Sequence, residues 1–242
     1  MKKYKYANFP FCKYWFWFEN PRDIAGADFV NFFSYEDCEV PGFKKKKGLT
    51  TRIDLRQGEQ EVFSCIRKKF ILEQAKKGKK NGITVSQDDT YDQFYAMYSQ
   101  FRKLKGLSRE SKSVLVKEGI LFSAYYGQKL IAGGIFMSDG YYMRAHILAS
   151  VRLESLAGKE REVVGQANRM VILSAIQFAL QQKVSFFDLG GIDPDSQKQS
   201  DRSLAEFKEA FGGSRISFYF YTKCYSRFLI MLSNLKSKIR GI

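Results

Sequence analysis

Two tight-turn signals divide residues 120–149 into three short apolar runs, and this constrains the fold more than any other stretch of the chain. Ile120 to Tyr126 stops at Gly127-Gln128, Leu130 to Met137 stops at Asp139-Gly140, and Tyr141 to Ala149 follows. Apolar and aromatic runs joined by minimal glycine-containing loops predict a three-stranded antiparallel meander. Around it the period changes. Residues 59–77 read as a helix, with Val62, Ile66 and Phe70 four apart, Phe63 beside them and lysines and arginines on the other faces. Asn81-Gly82 reads as a turn and Ile83-Thr84-Val85 as a short strand. Tyr91, Phe94, Tyr95, Tyr98 and Phe101 mark a second helix over about 90–104. A helix at about 166–181 is apolar on most faces (Met170, Val171, Leu173, Ile176, Phe178) and is predicted to be largely buried. Val184 to Leu189 is a short buried strand ending in Gly190-Gly191, followed by a helix near 203–211 and an aromatic strand at 216–221.

The first 57 residues are strand-like and irregular, with the aromatic run Tyr14-Trp15-Phe16-Trp17-Phe18. Lys44 to Lys47, between Gly42 and Gly48, read as an exposed loop, and Thr51 to Leu55 as a strand. The expected architecture is α+β: a central mixed, mostly antiparallel sheet flanked by helices. Its expected parts are a strand-rich segment 1–57 packed on or completing the core, a main domain 58–225, and a basic amphipathic tail 226–242.

With 45% hydrophobic and 16% aromatic residues, the 242-residue chain can bury a core, which excludes global disorder. Its net charge of +15 is concentrated: residues 44–80 carry a net +9 and residues 212–242 a net +6, so the rest is neutral. Two basic segments on a neutral body point to an anionic partner, whether phosphates, nucleic acid or a membrane surface, or serve as solvated faces. Cys12, Cys38, Cys65 and Cys224 have no C-x-x-C spacing and there is one histidine, so no metal site is expected. Pro10 and Lys13 interrupt any apolar start, no signal peptide is read, and no apolar run approaches the length of a membrane span. A reducing cytoplasm with free thiols is the expected setting.

The C-terminal third carries a more specific pattern. Phe187-Asp188-Leu189-Gly190-Gly191, a polar loop, and then Phe207-Lys208-x-x-Phe211-Gly212-Gly213 resemble the FemABX-like branch of the GNAT acyltransferase superfamily. In that branch a strand ending D-x-G-G precedes a helix reading F-K-x-x-F-G-G. The element order, Ile53-Asp54-Leu55, the basic helix 59–77 and His146 late in the third meander strand are similar to it as well, so the resemblance covers about residues 50–225. It implies a GNAT-like fold and transfer of an acyl group to an amine. The chain is too short for the two GNAT-like halves of classical Fem proteins and lacks their coiled-coil arm. That favours the shorter, sugar-modifying type, with acyl-CoA as donor, over the aminoacyl-tRNA-dependent type.

The residues allow specific roles. Gly190-Gly191 permits close backbone approach, either to a ligand or as a plain strand exit. Asp188 either accepts backbone N–H groups and shapes that loop or orients an acceptor amine. Lys208, about 100° around the helix from Phe207, borders the cleft if Phe207 points inward; there its cation would stabilise an oxyanion or hold a donor phosphate. His146, sharing a strand face with Arg144 and Leu148, is a candidate base, with Arg144 lining the same face. The GNAT donor signature R/Q-x-x-G-x-G/A, which offers helix-start amides to a pyrophosphate, corresponds to Glu162-Val163-Val164-Gly165-Gln166-Ala167, with Glu162 in place of Arg or Gln. Asn168 and Arg169 would then face the cleft from the first helical turn.

The expected function is N-acyl transfer to an amino group of a nucleotide sugar or of a lipid-linked envelope precursor, without a metal, in the cytoplasm or on the inner membrane face. Its acceptor would bear phosphate, and the tail would lie on an anionic membrane surface or pack on the body. The alternatives are aminoacyl-tRNA-dependent transfer, with tRNA bound at residues 44–80, and a non-catalytic nucleic-acid-binding or scaffold protein.

Overall fold

The computed structural model describes residues 3–8, 11–110, 112, 115–116, 119–151 and 158–226. The expected tail 226–242 therefore lies, from residue 227 on, outside the described residues. The chain forms two compact units, one from the residues up to Leu49 together with those from Ser217 on, the other from Thr50 to Ile216. The chain thus re-enters the first unit near its end.

In the first unit, β1 (Lys3–Asn8), β2 (Phe11–Trp17) and β3 (Phe29–Ser34) lie in the order β1-β2-β3-β10, where β10 is Ser214–Cys224. β2 and β3 run parallel; β1 with β2, and β3 with β10, run antiparallel. The aromatic run becomes β2 because its alternate residues supply both faces. Phe16 stacks on Phe32 at 4.6 Å in a cluster with Val30, Tyr219 and Tyr221. Trp15 and Trp17 meet Phe220 and Phe33 on the other side. Lys44 to Lys47 do not form a loop. They open β4 (Lys44–Asp54) with all four side chains exposed, and backbone pairing overrides the weak strand preference of lysine.

The second unit holds the end of β4, β5 (Ile83–Gln87), β6 (Ile120–Tyr126), β7 (Lys129–Ser138), β8 (Tyr142–Ser150) and β9 (Phe186–Ile192), in the order β4-β9-β8-β7-β6-β5. The meander is present, with β6–β7 and β7–β8 antiparallel and β8–β9 parallel. The helices are α1 (Glu59–Ser64), α2 (Glu73–Lys80), α3 (Tyr91–Leu104), α4 (Gly158–Gln181) and α5 (Gln199–Glu209). α4 packs Val164, Ala167, Val171, Ala175 and Ile176 onto β5–β8, in one core with Phe122, Phe136, Phe187, Leu189 and Phe211. It is long and apolar enough to cross a membrane by length and composition, which the sequence reading did not anticipate, and its buried side serves as the core helix. α3 covers the opposite face: Ala132 belongs to the α4 core, while the next residue, Gly133, abuts Phe94 of α3.

The expected helix 59–77 is broken. The Arg67 amide leaves the helical ladder and bonds the carbonyl of Ala210 at 2.9 Å, and a π-helical turn, Lys68–Leu72, then leads into α2. What lies against the break explains the two glycines after α5. Gly212 has φ +87°, and a Cβ there would stand 2.7 Å from the Cys65 carbonyl oxygen; one on Gly213 would stand 2.7 Å from Thr51 Cγ2. Gly212→Ala should therefore lower stability by about 2 kcal/mol, from positive φ and the backbone clash together, read as a drop in the thermal midpoint.

Candidate active site

The parallel register of β8 on β9 sets Arg144 directly opposite Asp188. Both side chains lie on the α3 face, because Met143, Ala145, Phe187 and Leu189 on either side of them belong to the α4 core. They are 6% and 1% exposed. A buried carboxylate needs donors, and Asp188 has them on both oxygens. Oδ2 accepts from Arg144 Nη1; Oδ1 accepts from the buried Thr50 hydroxyl and, at 2.6 Å, from the Gly190 amide. Thr50 was not anticipated. Only the pairing of β4 beside β9 reveals it, since Thr50 and Thr51 point to opposite faces of β4 and alternation alone does not say which of them meets Asp188.

The last of these bonds shapes the glycine pair. Gly190 has φ +84°, and a Cβ there would stand 2.9 Å from the Ala145 carbonyl oxygen and 3.2 Å from Lys208 Nζ. Strand β9 was expected to end before this pair but continues through it to Ile192. Lys208 comes from α5 to the same point and donates to the Gly191 carbonyl at 2.8 Å. It is 7% exposed while Phe207 is only half-buried, so the lysine is the more buried residue of the two. Burial first, and then the charge of Arg144, pull its ammonium down to about 8, against the opposing pull of Asp188. Among the described residues, the buried charges here are Arg144 and Lys208 against Asp188, one more cation than anion.

His146 sits one step along β8, at a break in the ladder. Phe136 pairs with Ala145 and Ile135 with Ile147, which leaves His146 as the extra residue of a β-bulge. The bulge resets the alternation, so Leu148 packs on the α4 core rather than sharing a face with His146 as expected. The His146 Nε2 atom is 2.8 Å from Glu110 Oε2, a partner that sequence spacing could not give.

The remaining expected residues are placed elsewhere. α4 starts at Gly158, eight residues before the expected helix, so Gly165, Gln166 and Ala167 lie two turns inside it. Interior helix amides bond carbonyls four residues back and are not offered to a pyrophosphate. Gln166 instead accepts from Asn81 Nδ2 at 3.0 Å, and Ala167 is core. Asn168 donates to the Val164 carbonyl within α4. Arg169 donates to the carbonyls of Phe70 and Gly165 at 2.7 Å each, and its guanidinium lies over the rings of Phe70 and Phe207. It thereby ties α4 to the π turn and to α5, and Phe207 closes that contact. A cavity of about 400 Å³ bounded by Leu55, Glu59, Gln177, Val184 and Ser185 lies at the other end of β9 from Gly190.

Two variants separate these roles. Keeping Lys208 charged costs ~3 kcal/mol at neutral pH, so Lys208→Met should hold or raise the thermal midpoint by a few degrees. Gly165→Ala, whose new Cβ would meet only the end of the Arg169 side chain at 3.3 Å, should be neutral or stabilising by up to about 1 kcal/mol in thermal unfolding, with no loss of donor affinity.

No protein-family model matches the sequence, and no curated protein does. Solved structures do. FemX aligns with a TM-score of 0.61 at 12% identity, over 95% of this chain and 85% of its own. The C-terminal domain (DUF2156) of a lysylphosphatidylglycerol synthetase from Agrobacterium fabrum aligns with a TM-score of 0.53 at 14% identity, over 82% and 69%. L-PGS from Bacillus licheniformis aligns with a TM-score of 0.50 at 13% identity, over 84% and 70%. At these identities the likeness is one of fold, and the chain has the FemABX/GNAT-like fold.

Proposed function

We propose that the protein is an acyltransferase that joins an acyl group to an amine, and that the reaction takes place at the Gly190-Gly191 end of β9. The observation that carries this reading is Lys208: a buried cation beside Gly190, next to an Arg144–Asp188 pair that already balances its own charge. Such a residue costs stability and is poorly explained as packing. A cation in a poorly solvated site suits a developing oxyanion.

In the proposed step the amine nitrogen attacks the acyl carbon and a C–N bond forms. Lys208 stabilises the negative oxygen of the tetrahedral intermediate. The bond to the leaving group, C–S in a thioester or C–O in an ester, then breaks with its electron pair, and the proton lost by the amine goes to the leaving group through a base. His146, on the same face as Arg144, is the candidate base. Asp188 and Thr50 hold Arg144 and fix the Gly190 turn. The acceptor in this reading is an amino group on a nucleotide sugar or a lipid-linked envelope precursor, met in the cytoplasm or at the inner membrane face, and the donor is an acyl-CoA.

A second reading, with aminoacyl-tRNA as donor, is favoured by one specific observation: the residues expected to bind the coenzyme A pyrophosphate are interior to α4. The exposed lysines Lys68, Lys69, Lys76, Lys77, Lys79 and Lys80 are compatible with a phosphate backbone. FemX and lysylphosphatidylglycerol synthetase domains are among the structural neighbours, and the second makes, by its name, an aminoacylated lipid.

Incubation with acetyl-CoA and a panel of amino-sugar nucleotides should release free thiol under the first reading. Transfer of a labelled amino acid from charged tRNA, with no thiol release, would replace the first by the second. In either assay Lys208→Met should lower turnover at least about 100-fold, and unchanged turnover would remove Lys208 from the reaction.

A further inference from the structure

Two residues before the Arg144–Asp188 pair, the same register sets Tyr142 opposite Phe186. Alternation puts both rings on the sheet face that carries Asp188. Arg52, two residues after Thr50 on β4, reaches this layer, and its guanidinium lies 4.4 Å from the centre of the Phe186 ring. Arg56 comes from the turn after β4 and lies 4.5 Å from the same centre. Tyr142 stacks on Phe186 at 5.6 Å, and Tyr141, which is 48% exposed, meets both rings edge-on. The backbone fixes the layer. The Leu55 amide donates to the Ser185 carbonyl at 2.9 Å, and the Ser185 and Phe186 amides both donate to the Tyr141 carbonyl, at 2.9 and 3.1 Å. The end of β4, the start of β9 and the turn before β8 are thus tied together where two arginines and three rings project.

One guanidinium over a ring is an ordinary surface contact. Two on one ring bring like charges together. Asp54 takes Nε and Nη2 of Arg56, at 2.9 and 2.6 Å, which fixes the fork and leaves Nη1 without a hydrogen bond among the described residues. Planar forks held beside aromatic rings match the oxygens of a phosphate. Space for a ligand lies on both sides of this layer. Past Arg56 opens the cavity of about 400 Å³, lined also by Glu59, Gln177, Gln181 and Lys183. Among the described residues, these four side chains have no hydrogen bond or ion pair. In the other direction Gly190 is four residues from Phe186 along β9, about 13 Å, a length that a diphosphate and one sugar ring cover together.

We propose that this layer is the subsite for the diphosphate of a sugar diphosphate ester, whose sugar points along β9 toward Gly190. Arg56 Nη1 and the Tyr141 hydroxyl donate to the diphosphate, and Arg52 adds its charge across the Phe186 ring. The inference rests on the acyltransferase reading only in calling this ester the acceptor; binding of the diphosphate stands apart from any donor. The same diphosphate occurs in a nucleotide sugar and in a lipid-linked precursor. Each would place its second ester group beyond Arg56, toward the cavity, where the polar side chains suit a nucleoside better than a prenyl chain.

Calorimetric titration of the intact chain with inorganic pyrophosphate, uridine diphosphate and farnesyl diphosphate reads this without any acyl donor. Saturable binding is expected, weakened about 10-fold by Arg56→Gln or Arg52→Gln and about threefold by Tyr141→Phe, which removes one hydroxyl. Tightest binding of uridine diphosphate assigns the nucleotide source and of farnesyl diphosphate the lipid-linked one; either supports the subsite. Lys76→Gln removes a charge from the exposed face of α2 and should leave the affinity unchanged. An equal loss there would show diffuse attraction to a basic surface and would overturn the inference. So would a loss in Lys208→Met with none in Arg56→Gln, which would put the phosphates at Lys208, or no saturable binding of any probe at millimolar concentration. If Arg52→Gln fails to fold, the Arg56→Gln and Tyr141→Phe titrations decide alone. Binding with no acyl transfer leaves the subsite standing and removes the reaction. Acyl transfer to an amine that carries no diphosphate, with no probe bound, removes the subsite and leaves the reaction.

Discussion

A carboxylate that is 1% exposed has to be matched by donors, and at Asp188 the matching ties three strands together. Arg144 reaches it from β8, Thr50 from β4, and the Gly190 amide from its own strand. Removing any one of the charged partners would leave a buried ion uncompensated, which typically costs 3–5 kcal/mol. The consequences run outward from this contact. Asp188 satisfies the amide of the Gly190 turn, whose positive φ brings the backbone against Ala145. That close approach leaves room for Lys208 to reach the Gly191 carbonyl, and the Arg144 charge then helps lower the lysine. The proposed chemistry is a by-product of how one buried acid is kept satisfied.

Local signals in the sequence carried far. The meander was legible because Gly127 and Asp139-Gly140 are tight-turn signals and the runs between them have strand composition. The D-x-G-G and F-K-x-x-F-G-G pair was legible as a resemblance, and the structure supplies its physics: Gly190 and Gly212 stand where backbone from another element comes within 3 Å of an added Cβ. What failed depended on partners distant in the chain. Lys44 to Lys47 look like a loop because lysine is a poor strand former, and become strand because a neighbouring strand pairs with them. The helix over 59–77 has an unbroken apolar period, and only the Ala210 carbonyl, more than 140 residues on, draws the Arg67 amide out of it.

The site shows the same division. Arg144 and Asp188 are legible in the sequence singly, Arg144 as a lining residue and Asp188 as a loop-shaping or amine-orienting one, but not as partners. Lys208 is legible as a candidate without its orientation, because helical spacing gives the angle between Phe207 and Lys208 and not which of them faces β9. Gly165 to Ala167 were placed by a short motif without the helix start, and the start lies at Gly158, so their amides are spent inside α4. Thr50 and Glu110 carry no signal of their own. Each becomes visible only when β4 lies beside β9 or when α3 delivers its loop to the bulge at His146.

The most direct test of the account is the titration of Lys208 itself. Side-chain ¹⁵N or ¹³C lysine spectra across pH 6 to 12, assigned by the signal missing in Lys208→Met, report its ammonium without any substrate. A midpoint at about 8, well below the ordinary 10.5, is the expected result for a cation held in a dry site beside Arg144. A lysine that titrates at 10.5 with the others would mean that it is solvated, and would remove the observation on which the proposed acyl transfer rests.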